Sequence, residues 1–83
     1  MTSNKIQKLR LKAVRLLGQP VEIFNKTFKE HDSGIVRNVE LGGECDWMIV
    51  SRNGALGGVH QFTLEIVSAI IRREGRPTLI ELN

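Results

Sequence analysis

The densest run of residues suited to holding an anion lies near the middle of the chain: Arg52, Asn53, then Gly54-Ala55-Leu56-Gly57-Gly58, then Val59 and His60. If a helix begins at Val59, its first turn presents unpaired backbone N–H groups and a partial positive charge. Gly57 and Gly58 lack side chains, so an anion can approach the amides of Gly58, Val59 and His60 closely. Arg52 would add a charge-assisted hydrogen bond, and the His60 imidazole would reach a ligand from the first turn. The run matches neither of the common glycine-rich phosphate fingerprints. The same residues also serve as a tight turn at Asn53-Gly54, followed by glycines that let a helix close onto a sheet.

Two further basic sets stand apart from this loop. Arg72, Arg73 and Arg76 would sit at the far end of the same helix, where they offset its negative end or clamp phosphates. Fourteen helical residues put roughly 20 Å between the two ends. One small phosphate therefore cannot touch both, unless the ligand is extended or two subunits meet around it. The second set is Lys5, Lys8, Arg10, Lys12 and Arg15, a basic face with no acidic residue among them. Such a face tracks a nucleic-acid backbone in a salt-sensitive way, or is simply solvated. It has no interleaved aromatic residue on which bases would stack.

Catalytic chemistry has little to work with. Cys45 stands between Glu44 and Asp46, poor surroundings for a nucleophilic thiolate. His31, His60 and Cys45 are too widely spaced to suggest a metal site. Glu65 is one carboxylate on an otherwise apolar segment. No metal, cofactor or catalytic residue is expected, and the chain is not expected to be an enzyme.

The elements that must position these residues follow from periodicity. Thr2, Ser3 and Asn4 can cap a helix whose face holds Ile6, Leu9, Ala13, Leu16 and Leu17, ended by Gly18 and Pro20. Alternation of Leu9, Leu11 and Ala13 with charged residues offers a competing strand. Strands are predicted over 21–28, 35–41 and 47–51, with a turn at His31-Asp32-Ser33-Gly34 and a break at Gly42-Gly43. Val59, Phe62, Ile66, Ala69 and Ile70 recur at helical spacing, so a second helix is predicted over 59–73. Gly75 would cap it and Pro77 end it. A last strand covers 78–82. The predicted order is α-β-β-β-α-β: an α+β fold with a small, mostly antiparallel sheet of three to four strands and two helices. Trp47 and the Phe residues are expected in the core.

Eighty-three residues suffice for one domain, 1–83. Its modest core would gain from self-association, so a homo-oligomer is expected. The single cysteine rules out an internal disulfide, and no apolar run approaches a membrane span. A cytoplasmic protein of a bacterium or phage is expected, with no membrane partner. The net charge of +3 divides unevenly: +5 over residues 1–30, −3 over 31–49 and +1 over 50–83. That pattern suggests a polar field or complementary faces between subunits.

The segment from Trp47 to Gly75 resembles the TSCPD-type module at the end of some vitamin-B12-dependent ribonucleotide reductases. It is also similar to phage anti-Thoeris proteins that sequester cyclic-nucleotide immune signals. Gly54, Gly57, Gly58, Glu65, Arg72 and Gly75 carry the resemblance, which implies a non-enzymatic, oligomeric nucleotide binder. With the loop chemistry, the leading expectation is a homo-oligomer that binds a phosphate-bearing nucleotide-like anionic small molecule and sequesters it. The alternatives are a small basic nucleic-acid-binding protein and a protein-binding inhibitor or adaptor.

Overall fold

The computed structural model describes residues 4–53 and 57–83. Helix α1 (Asn4–Arg15) forms where the spacing predicts it, burying Leu9 and Ala13 on one face. Leu16 follows them into the core, while Leu17 stays 44% exposed. The chain turns at Gly18, whose positive φ of 77° suits glycine. Thr2 and Ser3, expected as caps, lie outside the described residues.

Six strands follow: β1 (Pro20–Asn25), β2 (Glu30–Glu40), β3 (Trp47–Arg52), β4 (Val59–Thr63), β5 (Val67–Arg73) and β6 (Arg76–Leu82). They form one sheet in the order β4-β3-β2-β1-β6-β5. Neighbours run antiparallel except β1 and β6, which are parallel. The buried face is built by period-two alternation: Val21 and Ile23 of β1, Met48 and Val50 of β3, Ile80 and Leu82 of β6.

The expected α-β-β-β-α-β order with two helices and three to four strands is therefore corrected to one helix and a six-stranded mixed sheet among the described residues. The predicted second helix over 59–73 is β4, a 3-10 turn over Leu64–Ile66, and β5. Its apparent helical spacing has a physical origin. The turn consumes three residues, and Ser68 is an extra residue in β5 because Val67 and Ala69 face adjacent β6 residues, Leu82 and Glu81. The core residues Leu64, Val67 and Ile70 therefore recur every three positions without a helix, while Val59 and Ile66 are exposed. Gly75, expected as a helix cap, instead supplies a positive φ of 71° in the β5–β6 hairpin turn.

The His31–Gly34 turn is also corrected: all four residues lie inside β2, and the chain turns at 26–29. Gly34 is needed there for another reason. A Cβ on it would lie 2.1 Å from the Ser51 carbonyl oxygen, so β2 crosses β3 too closely for any side chain.

The sheet must curl. Five inter-strand steps would set the edges of a flat six-stranded sheet about 24 Å apart. Yet the edge strands β4 and β5 are joined by only Leu64–Ile66, a link that spans at most ~14 Å. The rolled sheet wraps its apolar face around the helix, which packs on the 3-10 turn and β5. Leu9, Ala13 and Leu16 close a core shared by all six strands. Among the described residues no helix is long and apolar enough to cross a membrane.

Candidate functional site

The residues of the predicted loop site separate in the structure. Val59 and His60 open β4 and pair with Ser51 and Val50, so no helix start exists to gather their amides. Gly58 turns its carbonyl to the Arg52 N–H at 2.9 Å, and the Asn53 N–H donates to the Ser33 carbonyl at 2.8 Å. Gly57 and Gly58 adopt φ of 59° and 81°, left-handed backbone that favours glycine, and they lead into a strand and not into a helix closing onto the sheet. Gly54 lies outside the described residues. Arg52 and His60 are both engaged by Asp32: its Oδ2 lies 2.9 Å from the Arg52 Nε and 3.2 Å from the His60 Nδ1. Here β2, β3 and β4 run side by side, and the carboxylate ties the three together.

Arg10 also leaves the candidate set. Its Nε donates to the Asp46 Oδ2 at 2.6 Å, and Asp46 accepts the Gly42 N–H at 3.1 Å through its other oxygen. The Asp46 side chain is 8% exposed. The Arg10 hydrogen bond, assisted by the Gly42 amide, holds its carboxyl below the usual carboxylate value although burial opposes this. This pair fastens α1 to the segment between β2 and β3. It explains why an arginine sits beside the apolar face of the helix.

Five of the remaining candidate cations converge. Lys12 and Arg15 at the end of α1 meet Arg72, Arg73 and Arg76 of the β5–β6 hairpin around an open groove of about 900 Å³. The parallel pairing of β1 and β6 brings this about. Val21 faces Thr78 across that pair, so the start of β6 lies beside the start of β1. The start of β1 in turn follows closely on the end of α1. Had β6 run antiparallel to β1, the hairpin arginines would lie at the opposite end of the sheet.

The five cations are not equivalent. The Arg73 guanidinium donates twice to the Pro77 carbonyl, at 3.0 and 2.7 Å, and once to Glu22 at 2.9 Å. Its side chain is only 19% exposed, and it stiffens the hairpin at a point where β6 carries an extra residue. Arg76 reaches the same Glu22 oxygen loosely, at 3.6 Å, and is 62% exposed. Hydrogen bonding from Arg73, with the charges of Arg73, Arg76 and His31, holds the Glu22 carboxyl below its ordinary value. Glu22 is therefore ionised at neutral pH. Among the described residues Lys12, Arg15 and Arg72 form no ion pair. Leu16 and Ile70 supply apolar lining, and no aromatic side chain lines the groove.

The chain has no significant match among protein-family models, curated proteins or solved structures.

Lys5 and Lys8 stay exposed on α1 outside this groove; Lys5 lines a smaller depression beside Glu65 and Asn83. Glu65 falls in the 3-10 turn, not on a long helix. Three residues with local roles carried no signal in the sequence: Glu22, Asp32 and Phe28. Phe28, expected in the core, is 70% exposed at the β1–β2 turn. The acids are common in solvated strands, and only the fold shows which arginines they occupy.

Proposed function

We propose that the protein is a non-enzymatic binder of nucleic acid that engages the phosphate backbone through the groove between α1 and the β5–β6 hairpin. The observation that carries this reading is the convergence of Lys12, Arg15, Arg72, Arg73 and Arg76 around one groove, with Glu22 engaging only Arg73 and Arg76. An open groove with several cations suits a repeating anion better than a single one, because a backbone engages them in succession. A free nucleotide would find phosphate contacts there but no aromatic surface for its base. The case for a small nucleotide ligand also rested on a helix start at Val59, which is a strand. Such a ligand accordingly serves as the competing arm of the test. Function on nucleic acid would place the protein in the cytoplasm.

The test is fluorescence anisotropy with labelled single-stranded and duplex oligonucleotides and with mononucleotides, over a range of salt. Oligonucleotide binding that weakens steeply with salt and is lost on combined substitution of Lys12, Arg72 and Arg76 by alanine supports the reading. Tight mononucleotide binding with no oligonucleotide binding overturns it.

Self-association forms part of the same proposal. Among the described residues β4 pairs only with β3, and β5 only with β6, so each leaves one backbone edge open there. Exposed Val59, Ile66 and Ile71 lie along these edges or in the turn between them. A second copy adding its β5 to β4 of the first would cover one edge on each copy, leave the other edge of each for further copies, and set the grooves in a row. Light scattering on the purified chain checks this, and a monomer at all concentrations refutes it.

A further inference from the structure

The β1–β2 turn presents an aromatic ring to solvent on a backbone fixed by hydrogen bonds. Phe28 is 70% exposed, with exposed Lys26 and Lys29 on either side. The turn is well specified: the Phe28 N–H donates to the Asn25 Oδ1 at 3.0 Å, and the Lys26 N–H donates to the Leu82 carbonyl at 2.9 Å. Lys29 adopts a positive φ of 54°, a conformation in which a side chain is disfavoured. One rung below, Phe24 and His31 pair across the strands with ring centroids 4.6 Å apart. The Phe28 ring thus stands exposed at the tip of a hydrogen-bonded turn, with Lys26 and Lys29 near it in the chain.

We infer that Phe28, with Lys26 and Lys29, is a base-stacking contact for single-stranded nucleic acid. This rests on the nucleic-acid reading of the groove and deepens it by naming the strand class. β1 and β6 connect the two places: both begin at the groove, and their ends, Asn25 and Leu82, pair beside the tip. Five residues of strand separate them by roughly 17 Å, within reach of a short oligonucleotide. Every base offers a flat face, so a lone exposed ring adds affinity without sequence preference. The flanking lysines meet the phosphates on either side of that base. Duplex bases are already stacked on one another and leave the ring nothing to take. A membrane is the poorer partner, because one ring and two lysines supply little anchoring surface where even a single acyl chain binds only marginally.

Phe28→Ala and Phe28→Trp are compared with the wild type and with a Lys12→Ala/Arg72→Ala variant by anisotropy. The probes are a single-stranded oligonucleotide and its duplex, with pelleting of anionic phosphatidylserine vesicles alongside. The exposed position makes both Phe28 substitutions safe for the fold, which circular dichroism checks. The expected result is a loss of about tenfold for Phe28→Ala on the single strand, no change on duplex, and recovery with Phe28→Trp. Unchanged single-strand binding by Phe28→Ala overturns the stacking role. The groove reading then still stands if the Lys12/Arg72 variant binds weakly. A loss with Phe28→Ala but not with the Lys12/Arg72 variant keeps the tip and removes the groove. Vesicle binding that depends on Phe28, with oligonucleotide binding unaffected, overturns the inference in favour of a lipid surface. If the wild type binds no oligonucleotide, both readings fall.

Discussion

The ion pairing of the groove cations makes their contribution to the proposed nucleic-acid binding calculable. Arg73 is held by Pro77 and Glu22, so it has little to offer a ligand. Lys12, Arg15 and Arg72 form no ion pair among the described residues, and Arg76 touches Glu22 only at 3.6 Å. About four cations are therefore available to a single strand, and each phosphate neutralised adds about −0.7 to the slope of log affinity against log salt. The expected slope is about −3, so a fourfold rise in salt weakens wild-type binding by about 50-fold. Replacing Lys12 and Arg72 by alanine should halve the slope to about −1.4 and reduce the same loss to about sevenfold. Glu22→Gln should act in the opposite direction. Without the carboxylate, Arg76 is fully released and Arg73 partly so, giving tighter binding and a steeper slope. Arg52→Ala is the control, because Arg52 is pinned to Asp32 away from the groove. Anisotropy titrations at four or more salt concentrations give the slopes directly. A slope that stays unchanged in the Lys12/Arg72 variant, or falls equally in the Arg52 variant, refutes the assignment of phosphate contacts to this groove.

Two further predictions concern the scaffold. Gly34→Ala places a Cβ 2.1 Å from the Ser51 oxygen and 2.8 Å from its carbonyl carbon, both backbone atoms that move only if β2 and β3 part. The expected cost is about 3 kcal/mol, which lowers the melting temperature by roughly 15 °C in a domain of this size; an unchanged melting curve by circular dichroism contradicts the close crossing. Asp46→Asn strips Arg10 of its charged partner and should cost ~1–3 kcal/mol at neutral pH. Because the folded-state value of Asp46 is depressed, its contribution is complete above the unfolded value of about 4 and vanishes as pH falls through the lower folded value. The wild type and Asp46→Asn should therefore differ in urea unfolding at neutral pH and converge in acid below about pH 4. A difference that persists undiminished in acid removes the charge from the explanation.

Much of the secondary structure was legible because local pattern and tertiary burial agree there. The predicted face of α1 delivers Leu9, Ala13 and Leu16 to the core, although Leu17 stays exposed, and strands form close to the predicted ranges 47–51 and 78–82. Failures occur where the sheet bends or gains a residue. A three-residue turn and a one-residue bulge convert a period of two into an apparent period near three, which makes Leu64–Ile70 look helical. In β2, His31-Asp32-Ser33-Gly34 has the composition of a turn. The glycine is present because another strand passes over it, and the aspartate because it binds Arg52 and His60 on the strands beyond. Neither neighbour lies within thirteen residues, so no local window reports them.

The site was legible in its parts and not in its assembly. Lys12 and Arg15 belonged to one expectation, and Arg72, Arg73 and Arg76 to another, with two different ligands. A single topological fact, the parallel pairing of β6 with β1, merges them. Parallel pairing of the two ends of a chain is a long-range choice that residue spacing does not encode. The consequence runs from topology to electrostatics. Like charges brought together by folding repel, which disfavours the native state unless something offsets them. In this groove Glu22 performs that task for Arg73 and partly for Arg76, while Lys12, Arg15 and Arg72 keep their charge available. Full neutralisation would have been the stabilising solution, and it would have needed a carboxylate for each of Lys12, Arg15 and Arg72, which form no ion pair among the described residues. We read the cations left available where three elements meet as suited to an anion supplied from outside, and their spread along an open groove as the ground for proposing a polymeric one.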